Sequence, residues 1–302
     1  SHHSGLAGIF YLTTFLAVAG IFLLHLVIPT PQKECFHADS EANISLFKPV
    51  ITNRHLQRLN VGIFCQHFIL TSTFFAIPLL LAQHVKLGHL TQQWHFYLPL
   101  MLFSFVVMIP FIIMAEKKKR MKSVFVSSVL FSACAQFLLA FASQNWYGLC
   151  TLMFVYFIAF NILEATLPSL ISKQANPQSK GTAMGVYSTS QFLGIFVGGA
   201  LAGILYQWHS SQGIFLINAL LGFIWLAIAV FMQPNVYVST LILHYSPRSE
   251  EQNTIINALL AVKGINEVAL SEEEQVIYIR INRDKYVPGS AEQILSPHSE
   301  SV

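Results

Sequence analysis

The sequence predicts an all-α polytopic membrane bundle followed by a small α+β domain, and three observations predict it. Seven apolar stretches of about 20 residues punctuate the chain, the length an α-helix needs to cross the hydrocarbon core of a bilayer. Of the 302 residues, 54% are hydrophobic and 10% charged, against about 25% charged in soluble domains. A chain so poor in charge cannot cover a water-facing surface, so lipid must be the solvent for most of it. After residue 233 the long apolar runs stop and short β-rich and amphipathic segments replace them.

The spans, in order, are A (8–28, stopped by Pro29 and Pro31), B (56–82), C (96–115), D (122–142), E (146–173), F (181–206) and G (212–232, closed by Pro234). Their boundaries carry Pro, Gly, polar residues or interfacial aromatics such as Trp94, Trp146 and Trp208. Spans B to G make a natural six-helix bundle. Span A is set apart by the polar segment 29–55, which reads as an interdomain linker. Four domains follow: 1–28, the last helix of a preceding bundle that is missing; 29–55, the linker; 56–233, the bundle; and 234–302, the tail domain. The first residues, Ser1-His2-His3, lack an initiator Met, and the chain starts as if cut from something longer.

Orientation comes from the C–D loop. Residues 116–122 place Lys117, Lys118, Lys119, Arg120 and Lys122 in one short connection, and such loops are retained on the cytoplasmic side. The A–B segment (Lys33, Lys48, Arg54) and the E–F loop (Lys173, Lys180) are then cytoplasmic too, as is the C-terminus. The opposite loops agree: B–C has Lys86 alone, and D–E and F–G have no Lys or Arg. The short D–E and F–G loops pair neighbouring helices as antiparallel hairpins.

In the tail, 237–245 is rich in Val, Thr, Ile, Leu and Tyr and reads as a strand. Residues 249–262 read as an amphipathic helix, with Ser249 as N-cap, Glu250 and Glu251 in the first turn, and Ile255, Leu259 and Val262 on one face. Residues 267–270 make a short strand and 272–274 a turn. The stretch 275–281 alternates, with Ile277, Ile279 and Ile281 on one face and Tyr278 and Arg280 on the other. The order β-α-β-β is the first part of a ferredoxin-like βαββαβ domain. Beyond it only a helical turn near 291–295 is visible, with no convincing final strand.

Few residues can carry chemistry. Glu164 is the one acidic residue inside the seven spans. A carboxylate at that depth costs on the order of 3 kcal/mol and should face the bundle interior. Asn161 lies one turn before it and Pro168 one turn after, where it can break the helix. Two readings stay open: Glu164 binds a proton or a cationic substrate, or it hydrogen-bonds a neighbouring helix and locks the fold. Gln66, His67, Gln136, Gln191 and Asn218 are the other polar groups at depth, each a candidate for a central pathway or for interhelical bonding. Span F carries Gly185, Gly194, Gly198, Gly199 and Gly203, at spacings that let another helix approach closely. The four cysteines (Cys35, Cys65, Cys134, Cys150) have no metal-ligand or disulfide-framework spacing. No phosphate loop and no nucleophile–base pair occurs. Neither metal nor cofactor is therefore expected, no enzyme activity is expected, and the scattered Lys and Arg give no nucleic-acid face.

Spans B to G with the basic loop resemble the C-terminal half of a major facilitator superfamily transporter. Met114-Ala-Glu-Lys-Lys-Lys-Arg-Met-Lys122 is similar to the second copy of that family's loop motif, with Glu116 in the acidic place and Arg120 and Lys122 in the basic ones. Asn161-Ile-Leu-Glu-Ala-Thr-Leu-Pro-Ser169 and the stretch from Lys180 to Gly194 resemble drug-efflux-type members, in the YajR-like group. That group also carries a ferredoxin-like domain after its last helix. The resemblance implies that span A is the sixth helix and B to G the seventh to twelfth. It implies proton-coupled export of a small drug-like or metabolite molecule by rocking of two six-helix halves, in a bacterial inner membrane. The other class of function open to the chain is a non-transporting membrane scaffold or sensor whose tail domain binds a ligand or protein.

Overall fold

The computed structural model describes residues 5–28, 44–176, 179–232, 238–244, 252–271, 276–282 and 285–295. Lys33, Cys35, Ser249, Glu250, Glu251 and the acidic turn 272–274 lie outside the described residues. The chain divides into two compact units, Ser1–Phe36 and His37–Val302. The first holds α1 (Gly5–Val27), which is apolar on every side and exposed along its length. A helix hydrophobic all round is suited to lipid or to a helical neighbour.

The second unit begins with a 3-10 turn (Ile44–Leu46) and α2 (Phe47–Thr52), a short helix within the segment read as linker. The bundle follows: α3 (Arg54–Lys86), α4 (Trp94–Lys117), α5 (Met121–Ala142), α6 (Trp146–Gln174) and α7 (Lys180–Val230). Their starts have local causes. The Asn53 side chain accepts from the backbone N–H of His55 at 2.9 Å and opens α3, and Asn145 accepts from Gly148 at 3.1 Å and opens α6. Pro168 does not break α6, which runs on to Gln174, so the break expected there is not made.

Spans F and G are joined in one 51-residue element, α7, whose backbone leaves helical geometry at His209 and Ser210 (φ −136° and 52°). The break reverses the chain. A Cβ on Gly194 would strike the Phe64 carbonyl, and a Cβ on Gly62 would come within 2.9 Å of the Trp225 ring. Residues 194 and 225 thus meet the same turn of α3, which they can do only if α7 doubles back between them. Among the described residues six helices are long and apolar enough to cross a membrane, and α7 supplies two crossing arms, residues 180–208 and 211–230.

Two apolar clusters fill the bundle. One, with Leu59, Ile63, Phe125, Leu163, Leu167 and Trp225, lies toward the α4–α5 and α6–α7 turns. The other, with Ile77, Leu81, Leu139, Leu149, Tyr156 and Phe215, lies toward the opposite end. Between them lie polar side chains, with Phe64 and Leu221 packed against both clusters.

The C-terminal segment forms β1 (Val238–His244), α8 (Gln252–Leu260), β2 (Ile265–Ser271), β3 (Val276–Asn282) and α9 (Ser290–Leu295). The sheet order is β1-β3-β2, with β3 antiparallel to both neighbours. Strands β1 and β2 are therefore parallel, joined by α8 across the sheet. Ile277, Ile279 and Ile281 face α8 and α9 and pack on Ile255, Leu259, Ala291 and Leu295. The other face of β3 is covered too: Tyr278 is 6% exposed.

Candidate functional site

Three helices bring polar side chains to one point between the apolar clusters. From α3, Gln66 donates from Nε2 to Glu164 Oε2 of α6 at 2.9 Å. His67, the next residue on α3, places Nε2 3.7 Å from the same carboxylate oxygen. From the first arm of α7, Gln191 Nε2 lies 2.8 Å from His67 Nε2. His67 Nδ1 faces the Ile63 carbonyl at 3.3 Å. A carbonyl only accepts, so Nδ1 carries the imidazole proton and Nε2 accepts from the Gln191 amide; tautomer and amide orientation are assigned together from this network. Phe160 packs edge-on against His67, with ring centroids 6.2 Å apart.

The cluster is tight on one side and open on the other. His67 is 6% exposed and Glu164 41%. Gln66 Oε1 is buried without a hydrogen-bond partner, and so is the hydroxyl of Tyr187, one turn before Gln191 on α7. A carboxylate, an imidazole and two amides thus converge with spare hydrogen-bonding capacity, able to hold a proton or a ligand with N–H donors.

The other candidates lie elsewhere. Asn161 turns away from Glu164 and donates to Ser104 Oγ of α4 at 3.1 Å. Asn218, on the second arm of α7, belongs to a separate closed network. Its Nδ2 donates to Thr73 Oγ1 and to Gln136 Oε1, each at 3.2 Å, while Gln136 Nε2 donates to Thr73 Oγ1 at 3.0 Å. The Ser72 hydroxyl lies 2.7 Å from Asn218 Oδ1. Ser72, Thr73, Gln136 and Asn218 are all fully buried. Ser72 and Thr73 are partners that sequence reading missed, because hydroxyls in spans are common and bond within their own helix as readily as across.

Among the span F glycines, Gly194 and Gly198 make the close approach. A Cβ on Gly198 would lie 2.6 Å from the Phe68 carbonyl, so only glycine lets α7 sit this near α3. Gly199 is in ordinary contact with Thr71, and a Cβ at Gly185 or Gly203 would meet nothing within 4 Å. In the loop motif, Glu116 at the end of α4 pairs with Lys173 at the end of α6 at 2.8 Å. Arg120 stands at the N-cap of α5, with Lys122 in its first turn. Among the described residues no group of three or more metal-ligating side chains occurs.

The sequence has counterparts among known proteins. The Major Facilitator Superfamily profile matches residues 59–249. The chain belongs to that superfamily and is an integral membrane protein. It is 39% identical over 283 residues to the inner membrane transport protein YajR of Escherichia coli, covering 93% of this chain and 62% of YajR. It is 30% identical over 201 residues to an uncharacterized transporter of Buchnera aphidicola subsp. Acyrthosiphon pisum, covering 65% of this chain and 50% of that one. A shorter match, 32% over 89 residues, links it to the quinolone resistance protein NorA of Staphylococcus aureus, covering 30% and 22%. The chain spans about half to three fifths of the length of the first two relatives.

Proposed function

We propose that the chain forms the second half of a secondary transporter, exporting a small drug-like or metabolite molecule by alternating access, with the Glu164 cluster handling the coupling proton or a cationic substrate. The observation that carries this reading is the convergence of Glu164, Gln66, His67 and Gln191 from three helices in a bundle with no other membrane-depth carboxylate. A lipid-facing carboxylate would cost on the order of 3 kcal/mol. The open side of Glu164 therefore belongs against water or protein, where a first half-bundle would stand. The likeness to YajR and NorA supports transport as the activity.

The cluster suggests how a proton would move. With the imidazole proton on Nδ1, His67 Nε2 is an acceptor held by the Gln191 amide. A second proton on Nε2 gives an imidazolium 3.7 Å from the Glu164 carboxylate. Glu164 and His67 thus form a pair that exchanges one proton and whose charge changes with it. The first arm of α7, close to α3 at Gly194 and Gly198, is a smooth surface on which the two helices can rock. The positive loop 116–122 supports a cytoplasmic α4–α5 turn and a cytoplasmic C-terminal domain, and the domain is read as the first three strands of a ferredoxin-like fold. The inner membrane of a bacterium is the location this reading requires.

The test is Glu164→Gln in the full-length transporter, assayed by pH-gradient-driven efflux from everted vesicles. We expect efflux to fall roughly a hundredfold, the scale for losing a group that transfers a proton. Efflux at the parent rate, with parent dependence on the pH gradient, removes Glu164 from the mechanism.

A further inference from the structure

The turn after α6 is gripped by the C-terminal domain. Arg280 of β3 donates from Nη2 to the carbonyls of Lys173 (2.6 Å) and Ala175 (3.0 Å). These are among the last acceptors of α6, whose helix partners have run out. A guanidinium there also meets the negative end of the helix dipole. On the neighbouring strand Glu267 accepts from Arg280 Nη1 at 3.2 Å and from Asn176 Nδ2 at 2.7 Å, tying both sides of the joint to one carboxylate. Lys173, whose carbonyl Arg280 holds, sends its own side chain to Glu116 at the end of α4. One turn of chain therefore connects α4, α6 and the sheet. Close by, both amide atoms of Gln174 and Oδ1 of Asn176 are buried with no hydrogen-bond partner. These groups gain solvation when the joint parts.

We propose that Arg280 and Glu267 form a latch by which the C-terminal domain holds the end of α6. The helix that bears Glu164 is then fixed, about 14 Å from that residue at 1.5 Å per residue, by a separate folded body. The end of α6 shifts only when the domain moves with it or lets go. The domain is thus a restraint on one helix of the bundle, and whatever alters its grip alters the freedom of that helix. The latch rests on these contacts and stands whether or not Glu164 serves transport.

The experiment is thiol labelling of the full chain in membranes, with native cysteines replaced and a single reporter introduced as Ala175→Cys, a position 3% exposed. Adding Arg280→Ala or Glu267→Gln should raise the labelling rate about tenfold, the factor for losing a charge-assisted hydrogen bond. Arg280→Lys, which keeps the charge but not the two-pronged donor, should fall between. A second reporter, Ala291→Cys in the core of the domain, should stay protected in every variant. Unchanged labelling at position 175 in both Arg280→Ala and Glu267→Gln overturns the latch. Labelling at position 291 that rises in step with position 175 in both variants overturns it as well, because the domain has then unfolded rather than released.

Discussion

The bundle contains two polar clusters built from the same kinds of side chain, and they differ in what they leave unfinished. Around Asn218, four neutral groups from α3, α5 and α7 close on one another in complete burial. Around Glu164, a carboxylate and an imidazole join two amides, one amide oxygen is stranded, and the carboxylate stays partly exposed. A closed neutral network has nothing left to offer a ligand and serves to hold helices together. An open one with charge has both capacity and a reason to change its partners. The difference predicts that the first cluster answers in stability and the second in flux.

The sharpest way to break that comparison is a crossed pair of substitutions. Glu164→Gln should lower efflux by about two orders of magnitude and leave the melting temperature of the detergent-solubilised protein within error. Asn218→Ala should do the reverse. It leaves the buried Gln136 Oε1 without its donor and should cost about 1–2 kcal/mol, read as a lower melting temperature, with efflux per folded molecule retained. If Asn218→Ala abolishes efflux at unchanged stability, the closed network belongs to the pathway and the two clusters are one site.

A comparable cost comes from packing. Gly198→Leu drives a side chain into the Phe68 carbonyl and should destabilise by about 1–3 kcal/mol. Gly203→Leu, with open space before it, should leave the melting temperature unchanged. Equal effects at the two positions would mean that α7 meets another helix along its whole glycine face.

How much of this was legible beforehand follows from the same contrast. Span positions could be read because twenty apolar residues have few other uses. Between F and G the chain stays helical to the edge of a sharp break at His209 and Ser210, which lies inside the connection between the two spans and whose backbone angles no sequence signal fixes. Glu164 could be found because a carboxylate at depth is expensive. Which neutral residues join it could not, since Asn161, one turn away on α6, serves Ser104 instead, while Gln66 and Gln191 arrive from other helices. Facing is set by packing, and the close packing at Gly194 and Gly198 looks the same in sequence as the open spacing at Gly203. In the C-terminal domain the last strand was readable from alternation, but the grip of Arg280 on the end of α6 depends on docking, which alternation does not record.

The smallest effect is also the most specific. Gln191 touches the site through His67 alone, holding Nε2 as an acceptor. Gln191→Leu frees that nitrogen to turn its tautomer and donate to Glu164, which sets the carboxylate in competition with its ligand. A loss of about threefold in efflux is expected, on the scale of one neutral hydrogen bond. His67→Gln removes the same bond from the other side and also the titrating partner of Glu164, so it should cost about a hundredfold. Because Gln191 acts only through His67, the double variant should lose little more than His67→Gln alone. If the losses multiply, His67 and Gln191 act separately on Glu164 and the cluster is not a relay. The same cycle at Gln136 and Asn218, read as melting temperature, should show coupling with no trace in flux. Coupling that appears in flux at both pairs would erase the distinction between a network that holds and a network that works.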